Sequence, residues 1–127
     1  MAYEENITLQ KQTFVAAADL SAKQYYAVTN GATGINVSTA AKAMDGVLQD
    51  KPASGKAGCV ARGGVSKVAI TASTAVTVND LLEVDTGGTF KPVAAGIAVA
   101  KALEALSSTA AVCWIAAELL PSNAAFV

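Results

Sequence analysis

The stretch 47–68 holds the residues that come closest to a known chemical motif. It reads VLQDKPASGKAGCVARGGVSKV, with Gly55 directly before Lys56. A phosphate-binding loop requires G-x-x-x-x-G-K and then a hydroxyl residue, because backbone N–H groups surround the phosphate and the hydroxyl binds Mg²⁺. Here Asp50 occupies the position of the first glycine and Ala57 that of the hydroxyl residue. A carboxylate beside the phosphates and a missing metal ligand argue against nucleotide binding.

Turn chemistry explains the same stretch better. Pro52 fixes its own φ, Gly55 allows a positive φ, and Asp50 can accept local hydrogen bonds. Short apolar runs flank these residues at 47–48 and 59–61. Two apolar runs joined by turn residues predict a hairpin.

Few other side chains offer reactive chemistry. The chain has no histidine, which excludes Ser-His-Asp and Cys-His nucleophile systems. Cys59 and Cys113 do not form a C-x-x-C pair and are interpreted as small buried apolar residues. The carboxylates of Asp80, Glu83 and Asp85 suit turn formation better than catalysis. The sequence thus predicts no enzyme, no cofactor and no metal site, with a small metal-dependent hydrolase as the enzyme alternative.

Composition limits the kind of partner that the chain can have. Hydrophobic residues make up 53% of the 127 positions, but 28 positions are alanine and only 15% are charged. A core built from so many small side chains is thin unless apolar surface is also buried against another protein. We therefore expect an oligomer or an assembly.

Charge and hydropathy argue against nucleic acid and membrane as partners. The nine Lys and Arg residues are scattered and the net charge is −1, which predicts no nucleic-acid binding. The longest apolar run, 110–120, is shorter than the roughly 18 residues of a membrane span. The opening MAYEENITLQ lacks the basic and apolar regions of a signal peptide, which predicts a chain made in the host cytoplasm.

Turn residues divide the chain at short intervals. Strand-type residues at 25–29 end in an Asn-Gly pair, and the run 81–91 contains two apolar pieces separated by DTGG. Gly63 and Gly64 interrupt a third strand pattern and predict a bulge or sharp bend. The sequence therefore predicts an all-β fold, a small barrel or sandwich with room for one short helix.

The last third of the chain is ambiguous between helix and strand. Residues 94–120 are rich in Ala and Leu, which favour helices. A weak internal echo between VLQDKPASGKAGCVA and KALEALSSTAAVCWIA favours strand, turn and strand instead. A strand would send Trp114 and Ile115 to opposite faces. Trp114, the only tryptophan, lies in the densest apolar run and is predicted to be mostly buried.

The beginning of the chain differs from the rest. Residues 1–18 lack the apolar density of a core strand, although Ile7 and Leu9 alternate with polar neighbours and Phe14 follows. The sequence predicts an extended N-terminal arm over residues 1–18 and a single barrel domain over residues 19–127.

Five motifs follow one another along most of the chain. They read DLSAKQY, GVLQDKPASG, VARGGVSKV, NDLLEVDTGGTFKP and ALEALSSTAAVCWIAAELLP, at residues 19–25, 46–55, 60–68, 79–92 and 102–121. In this order they resemble the head decoration, or capsid cement, proteins of tailed bacteriophages. Each motif is mostly turn chemistry, so the order carries the resemblance.

The resemblance implies a β-tulip barrel that binds the outer face of the phage capsid and reinforces the head, commonly as a homotrimer. The implied partners are the major capsid protein and further copies of the chain, and the implied location is the virion. On this interpretation, main-chain hydrogen bonds of the arm give affinity for the capsid. The arm side chains that would contact it are Tyr3, Ile7, Leu9 and Phe14, while Trp114 and Ile115 would lie in the core or at the trimer contact.

Another class of function remains open from the residues alone. A small ligand-binding β-barrel of bacterial origin would have the same strand pattern. It would also have a roomy apolar interior with a few convergent polar groups.

Overall fold

The computed structural model describes residues 10–120. They form nine strands: β1 Gln10–Val15, β2 Ala27–Gly31, β3 Gly34–Val37, β4 Gly46–Leu48, β5 Ala57–Ile70, β6 Leu81–Val84, β7 Phe90–Pro92, β8 Ala100–Ala102 and β9 Cys113–Leu119. Within these residues the helical content is one 3₁₀ turn, Thr86–Gly88, and no helix is long and apolar enough to cross a membrane. The predicted all-β fold is confirmed, and the ambiguous segment 94–120 forms strands.

Strand β5 runs through the whole molecule and belongs to both groups of strands. Its first half pairs antiparallel with β1 and β4, and from Gly64 onward it pairs antiparallel with β9. The register with β1 shifts between Gln10 and Lys11, so that Arg62 is paired with no residue of β1 in the strand register. Gly64 has a φ of +89°, a backbone conformation that glycine adopts easily and that is strained for residues with a side chain. The predicted bend at Gly63 and Gly64 is confirmed.

The second half of β5 and strands β6–β9 form a closed barrel, which we call the C-terminal barrel. Hydrogen-bonded neighbours run β5, β7, β6, β8, β9 and back to β5. The ring closes where Ile70 of β5 pairs in parallel with Phe90 of β7. There the Thr71 N–H donates to the Phe90 carbonyl at 3.0 Å. Aliphatic side chains and one ring fill the interior, among them Val68, Ile70, Leu82, Val84, Phe90, Val99, Ile115 and Leu119.

Strands β1–β4 and the first half of β5 form a second group, which we call the N-terminal sheet. The strand order is β3, β2, β4, β5, β1. Its outer strands meet at one parallel bridge between Ala16 and Ile35, and the Ala17 N–H donates to the Ile35 carbonyl at 2.8 Å. The curled sheet encloses a small core of Ala16, Leu20, Val28, Ile35, Leu48 and Val60.

Local hydrogen bonds fix both hairpins that turn residues predict. Strands β4 and β5 form the first, and the Asp50 carboxylate accepts the Cys59 N–H at 3.1 Å across its turn. Strands β6 and β7 form the second, and the Asp85 carboxylate accepts the Thr86 N–H at 2.8 Å at the start of the 3₁₀ turn. Turn chemistry therefore locates these elements correctly.

Strand β9 alternates between the inside and the outside of the barrel. Ile115, Ala117 and Leu119 are buried in the core, whereas Trp114 is 55% exposed. The prediction that Trp114 fills the barrel core is wrong, because a strand sends alternate residues to opposite faces and the interior takes the aliphatic set. The alternative placement of Trp114, at a contact between subunits, stays a prediction.

The structure describes the second half of the predicted arm. Residues 10–15 are β1, which pairs with β5 along its full length. Ala16, the next residue, is buried. This part of the arm is thus an integral strand of the N-terminal sheet, and the domain boundary at residue 18 stays a prediction.

Candidate interaction surface

The segment between β1 and β2 ties the N-terminal sheet to the barrel. The Leu20 N–H donates to the Pro52 carbonyl at 2.9 Å, and the Tyr25 N–H donates to the Leu48 carbonyl at 2.7 Å. The Tyr25 carbonyl accepts the Ala69 N–H of β5 at 3.0 Å. These bonds hold Tyr25 at the junction of the two strand groups.

Tyr25 meets Trp114 at this junction. The two ring centroids are 6.2 Å apart and the ring planes lie at 75°, an edge-to-face arrangement. Trp114 stands on the outer face of β9, opposite Ala69 of β5. The contact therefore joins the two strand groups and still leaves most of the indole open to solvent.

A surface groove lies beside this ring pair, and we call it the aromatic groove. Its volume is about 280 Å³, and it is lined by Ser21, Ala22, Gln24, Tyr26, Lys51, Val112 and Trp114. Aromatic rings together with apolar and polar side chains are typical of protein contact sites.

One lysine lines the aromatic groove, and two more lie over the rings of the neighbouring tyrosines. Lys23 Nζ lies 5.0 Å from the centre of the Tyr26 ring, and Lys67 Nζ lies 5.7 Å from the centre of the Tyr25 ring. Lys51 belongs to the lining itself. In the part of the chain that the structure describes, none of these three ammonium groups has a carboxylate within ion-pair distance. Their positive charge is thus not neutralised by residues 10–120.

The carboxylates nearest in sequence to the groove have backbone partners. Asp19 accepts the Ser21 N–H at 3.1 Å, and hydrogen bonds from the hydroxyl and N–H of Ser21 lower the pKa of Asp19. Asp50, next to Lys51, accepts the Cys59 N–H. These contacts explain both carboxylates as turn-forming residues.

The carboxylates that a hydrolase would need have structural partners as well. Buried Glu83 accepts the Gly96 N–H at 2.7 Å and lies 3.4 Å from Lys91 Nζ. Asp80 accepts the Thr77 N–H at 2.8 Å within its own turn. Across residues 10–120, no three His, Cys, Asp or Glu side chains lie close enough to hold a metal ion.

Asp85 lies in a polar cluster at the closure of the barrel. Its carboxylate accepts the Thr71 hydroxyl at 2.7 Å, and that hydroxyl is also 2.7 Å from the Thr89 hydroxyl. Partial burial disfavours the charged form, but the hydrogen bonds from Thr71 and Thr86 and the charge of Lys91 outweigh it and lower the pKa of Asp85. The cluster supports the pairing of β5 with β7.

The structure describes three of the six residues that the sequence predicts at capsid, core or trimer contacts. Tyr3, Ile7 and Leu9 lie outside the described residues. Phe14 is half-buried against the core of the N-terminal sheet, with the Arg62 guanidinium carbon 6.0 Å from its ring centre. Ile115 is buried in the barrel core. Among the three of these residues that the structure describes, Trp114 lines the aromatic groove and Phe14 and Ile115 do not.

Sequence reasoning missed the residues that surround Trp114. Tyr25, Tyr26 and Lys23 are close together in the chain, but Lys51 and Lys67 come from β5 and the turn before it. The one local indication was the pair of adjacent tyrosines, with Lys23 two residues before the first of them. Its meaning depends on Trp114, which is about 90 residues away in the sequence.

Two other features of the sequence also have an outcome. Cys59 and Cys113 are both free thiols and are half-buried rather than buried. Cys59 lies near the start of β5 and pairs with Thr13 of β1, whereas Cys113 of β9 pairs with Ile70 at the end of β5. The barrel axis is occupied by packed side chains such as Phe90 and Leu82. A ligand-binding barrel would need that space for its ligand.

The fold matches that of a phage head protein. Comparison with solved structures finds the crystal structure of the head fiber gp8.5 N base in bacteriophage phi29, with a TM-score of 0.65. The match covers 94% of this chain and 99% of that chain, at 14% sequence identity. No protein-family model and no curated protein matches the sequence. At this level of identity the likeness establishes a shared all-β fold.

Proposed function

We propose that the chain is a structural virion protein that binds the outer surface of a phage capsid and stabilises the head. The observation that carries the proposal is the fold likeness to a phage head fibre base, which extends over nearly the whole chain. The order of turn motifs in the sequence points independently to phage head decoration proteins. The partners on this proposal are the major capsid protein and further copies of the chain.

The side chains of the molecule suit a contact function. The carboxylates at Asp80, Glu83 and Asp85 have backbone, hydroxyl or lysine partners. A cement protein needs repeated surface contact, and an exposed tryptophan beside two tyrosines provides such a surface. These observations favour a structural role over the hydrolase and ligand-binding alternatives.

We assign a first capsid contact to the beginning of the chain. Tyr3, Ile7 and Leu9 precede β1, and Phe14 lies within it. An extended segment can add main-chain hydrogen bonds to a sheet edge of a partner, and its alternate side chains then give specificity. Several arms in a homotrimer would bind together, since linked weak contacts raise the overall affinity by about 10²–10⁴.

Deletion and reconstitution test the proposal. Heads are purified from the phage or prophage that encodes the chain, with its gene deleted, and then mixed with the purified protein. We expect regular density on the outer face of the heads in cryo-electron microscopy and a higher melting temperature of the heads. Heads that bind no protein, or protein found only inside the shell, would contradict the proposal.

Removal of residues 1–9 tests the arm. We choose residue 9 as the limit because Gln10–Val15 pairs with β5 and Ala16 is buried. The truncated protein should keep its melting temperature and bind heads at least tenfold more weakly. Unchanged head binding would argue against the arm contact. Light scattering of the full-length and truncated proteins measures their oligomeric state independently of head binding.

A further inference from the structure

We infer that the aromatic groove binds an acidic segment of the major capsid protein that inserts one large apolar side chain beside Trp114. The inference rests on the proposed function and adds a second contact that is separate from the arm. Four observations carry it: the exposed indole, the unpaired lysines, the size of the groove and its place in the fold.

The exposed indole is the first observation. Trp114 is 55% exposed although its neighbours Cys113 and Ile115 are half-buried and buried. Tryptophan and tyrosine are the residues most enriched among those that dominate binding energy at interfaces. The edge contact with Tyr25 holds the indole in one orientation, so little side-chain entropy remains to be lost on binding.

The charge of the groove defines the chemistry of its occupant. Lys51 lines it, Lys23 lies over the ring of the lining residue Tyr26, and Lys67 lies over Tyr25, whose ring contacts Trp114. These three lysines have no carboxylate within ion-pair distance among residues 10–120. An acidic segment would pair with them, which fixes its register and raises the association rate. A basic or neutral segment would leave the three charges unbalanced.

The size of the groove limits what inserts into it. About 280 Å³ lies just below the range of small-molecule pockets, roughly 300–1,000 Å³. That space accommodates one large side chain with part of its backbone. Val112 and Trp114 give the lining an apolar part, whereas the lining residues Ser21, Gln24 and Lys51 can bind polar groups. The occupant is therefore an extended segment with one apolar anchor and flanking carboxylates.

The place of the groove in the fold has an energetic consequence. Ser21, Gln24 and Tyr26 belong to the first half of the chain, whereas Val112 and Trp114 border the last strand of the barrel. An occupant touches both strand groups and stabilises their junction, because a ligand that binds only the folded state adds to its stability. Binding at this groove thus couples decoration of the head to the rigidity of the decorating protein.

The test uses gene-deleted heads and purified full-length variants. Trp114→Ala should weaken head binding about 30-fold, the loss expected when a dominant interface residue is truncated. Lys51→Glu together with Lys67→Glu should weaken it about tenfold at low salt and less at high salt. Leu81→Ala and Lys42→Glu are the matched controls. Leu81 is exposed on strand β6, Lys42 is exposed in a loop, and neither residue lines the groove. Both controls should bind like the parent chain.

The possible results distinguish a failure of the proposed function from a failure of the groove contact. A parent chain that fails to bind heads overturns the proposed function and this inference with it. A parent chain that binds, with groove variants that bind equally well, overturns the groove alone. Each variant's melting temperature is measured first, so that lost binding cannot be confused with lost folding.

Two further measurements identify a different occupant. If light scattering shows that Trp114→Ala dissociates an oligomer of the free protein, a second copy covers the groove and the inference is wrong. If a single-stranded oligothymidine quenches the fluorescence of Trp114 at micromolar concentration, the groove takes nucleic acid and the inference is equally wrong. Unchanged oligomeric state and unquenched fluorescence support the capsid segment.

Discussion

The N-terminal sheet and the C-terminal barrel close through the same kind of strand pairing, but different interactions stabilise the two closures. Each brings its two outer strands together at one parallel pair, Ala16 with Ile35 in the sheet and Ile70 with Phe90 in the barrel. In the barrel, the hydroxyl and carboxylate cluster around Thr71 lies directly beside that pair. In the sheet, the closure instead depends on a glycine.

That glycine is Gly34, and it permits a very close approach of two backbones. Its φ is +131°, and a Cβ there would collide with the carbonyl of Val15. The closure of the N-terminal sheet is thus sensitive to a single methyl group, whereas the barrel closure is supported by hydrogen bonds between the side chains of Thr71, Asp85 and Thr89. The two closures have similar strand topology but depend on different interactions. Substitutions can therefore test the stability of each region separately.

The largest expected effect is in the barrel core. Phe90 is fully buried and also forms the closing pair, so Phe90→Ala should cost about 3–5 kcal/mol of unfolding free energy. Leu48→Ala, a truncation of similar burial in the smaller core of the N-terminal sheet, should cost about 2–3 kcal/mol. Urea denaturation followed by circular dichroism measures both. A larger loss for Leu48→Ala would reverse the comparison.

The next effect concerns the closure of the N-terminal sheet. Gly34→Ala should cost about 3 kcal/mol, because it adds a steric collision to backbone strain. Gly55→Ala is the matched control, since Gly55 also has a positive φ, +80°, but a Cβ there would meet nothing. We expect about 1 kcal/mol for the control. Hydrogen exchange of the Ala17 N–H should accelerate in Gly34→Ala alone, and equal losses in both variants would exclude a steric cause.

A smaller effect is expected where the two regions touch. Trp114→Ala should cost about 1 kcal/mol, since the indole is largely exposed and its main defined contact is the edge of Tyr25. A double-mutant cycle with Tyr25→Ala should give a coupling energy of about 0.5–1.5 kcal/mol. A loss of 3 kcal/mol or more, roughly the cost of a buried aromatic residue, would restore the core assignment of Trp114.

The smallest effect is the pH dependence of the barrel closure. The pKa of Asp85 is lowered from 3.8 in the folded protein, so its contribution to stability is complete above that value. It is lost as the pH falls through the lowered pKa. The stability difference between the parent chain and Asp85→Asn should therefore shrink as the pH falls from 5 to 2. Denaturation midpoints across this range measure it, and a difference that widens in acid would have the wrong sign.

Asp19→Asn is the control in the N-terminal sheet region. The pKa of Asp19 is also lowered, by Ser21, but this carboxylate is fully exposed. Solvent screens its interactions, so its removal should change the acid profile less than removal of Asp85 does. The contrast would show that the pH dependence belongs to the supported closure.

Local chemistry explains what the sequence could predict of the fold. The turns at Pro52 and Gly55 and at DTGG, and the bend at Gly63 and Gly64, depend on residues close together in the chain. Their backbone preferences are therefore visible without a structure. The arrangement of strands around β5 depends on pairings between distant residues, and turn residues do not determine it.

The face of β9 illustrates the limit more sharply. Alternation predicts that Trp114 and Ile115 separate, which is what occurs, but alternation alone does not tell which face is inside. The interior is already filled by Phe90 and aliphatic side chains. A shift of one residue would exchange the two faces, so the choice is made by the partner strands.

The aromatic groove was still harder to foresee. Its rings and lysines come from the β1–β2 connection, the turn before β5, β5 itself and β9. The segment 21–26 contributes four of its lining residues, but Lys51, Val112 and Trp114 come from distant parts of the chain. Composition did predict that apolar surface would remain for a partner, and the exposed indole of Trp114 is the clearest instance.

The meeting of β1 and β9 at the middle of β5 also has a consequence for protein engineering. Gln10 pairs with Gly63 and Leu119 pairs with Gly64, so these two positions lie on the order of 10 Å apart. In a chain cut to residues 10–119, a short flexible linker between them would make a closed loop, which could then be opened at the exposed turn around Ser54. Such a circular permutant would preserve all strand pairings and place its new ends at the far end of the first hairpin.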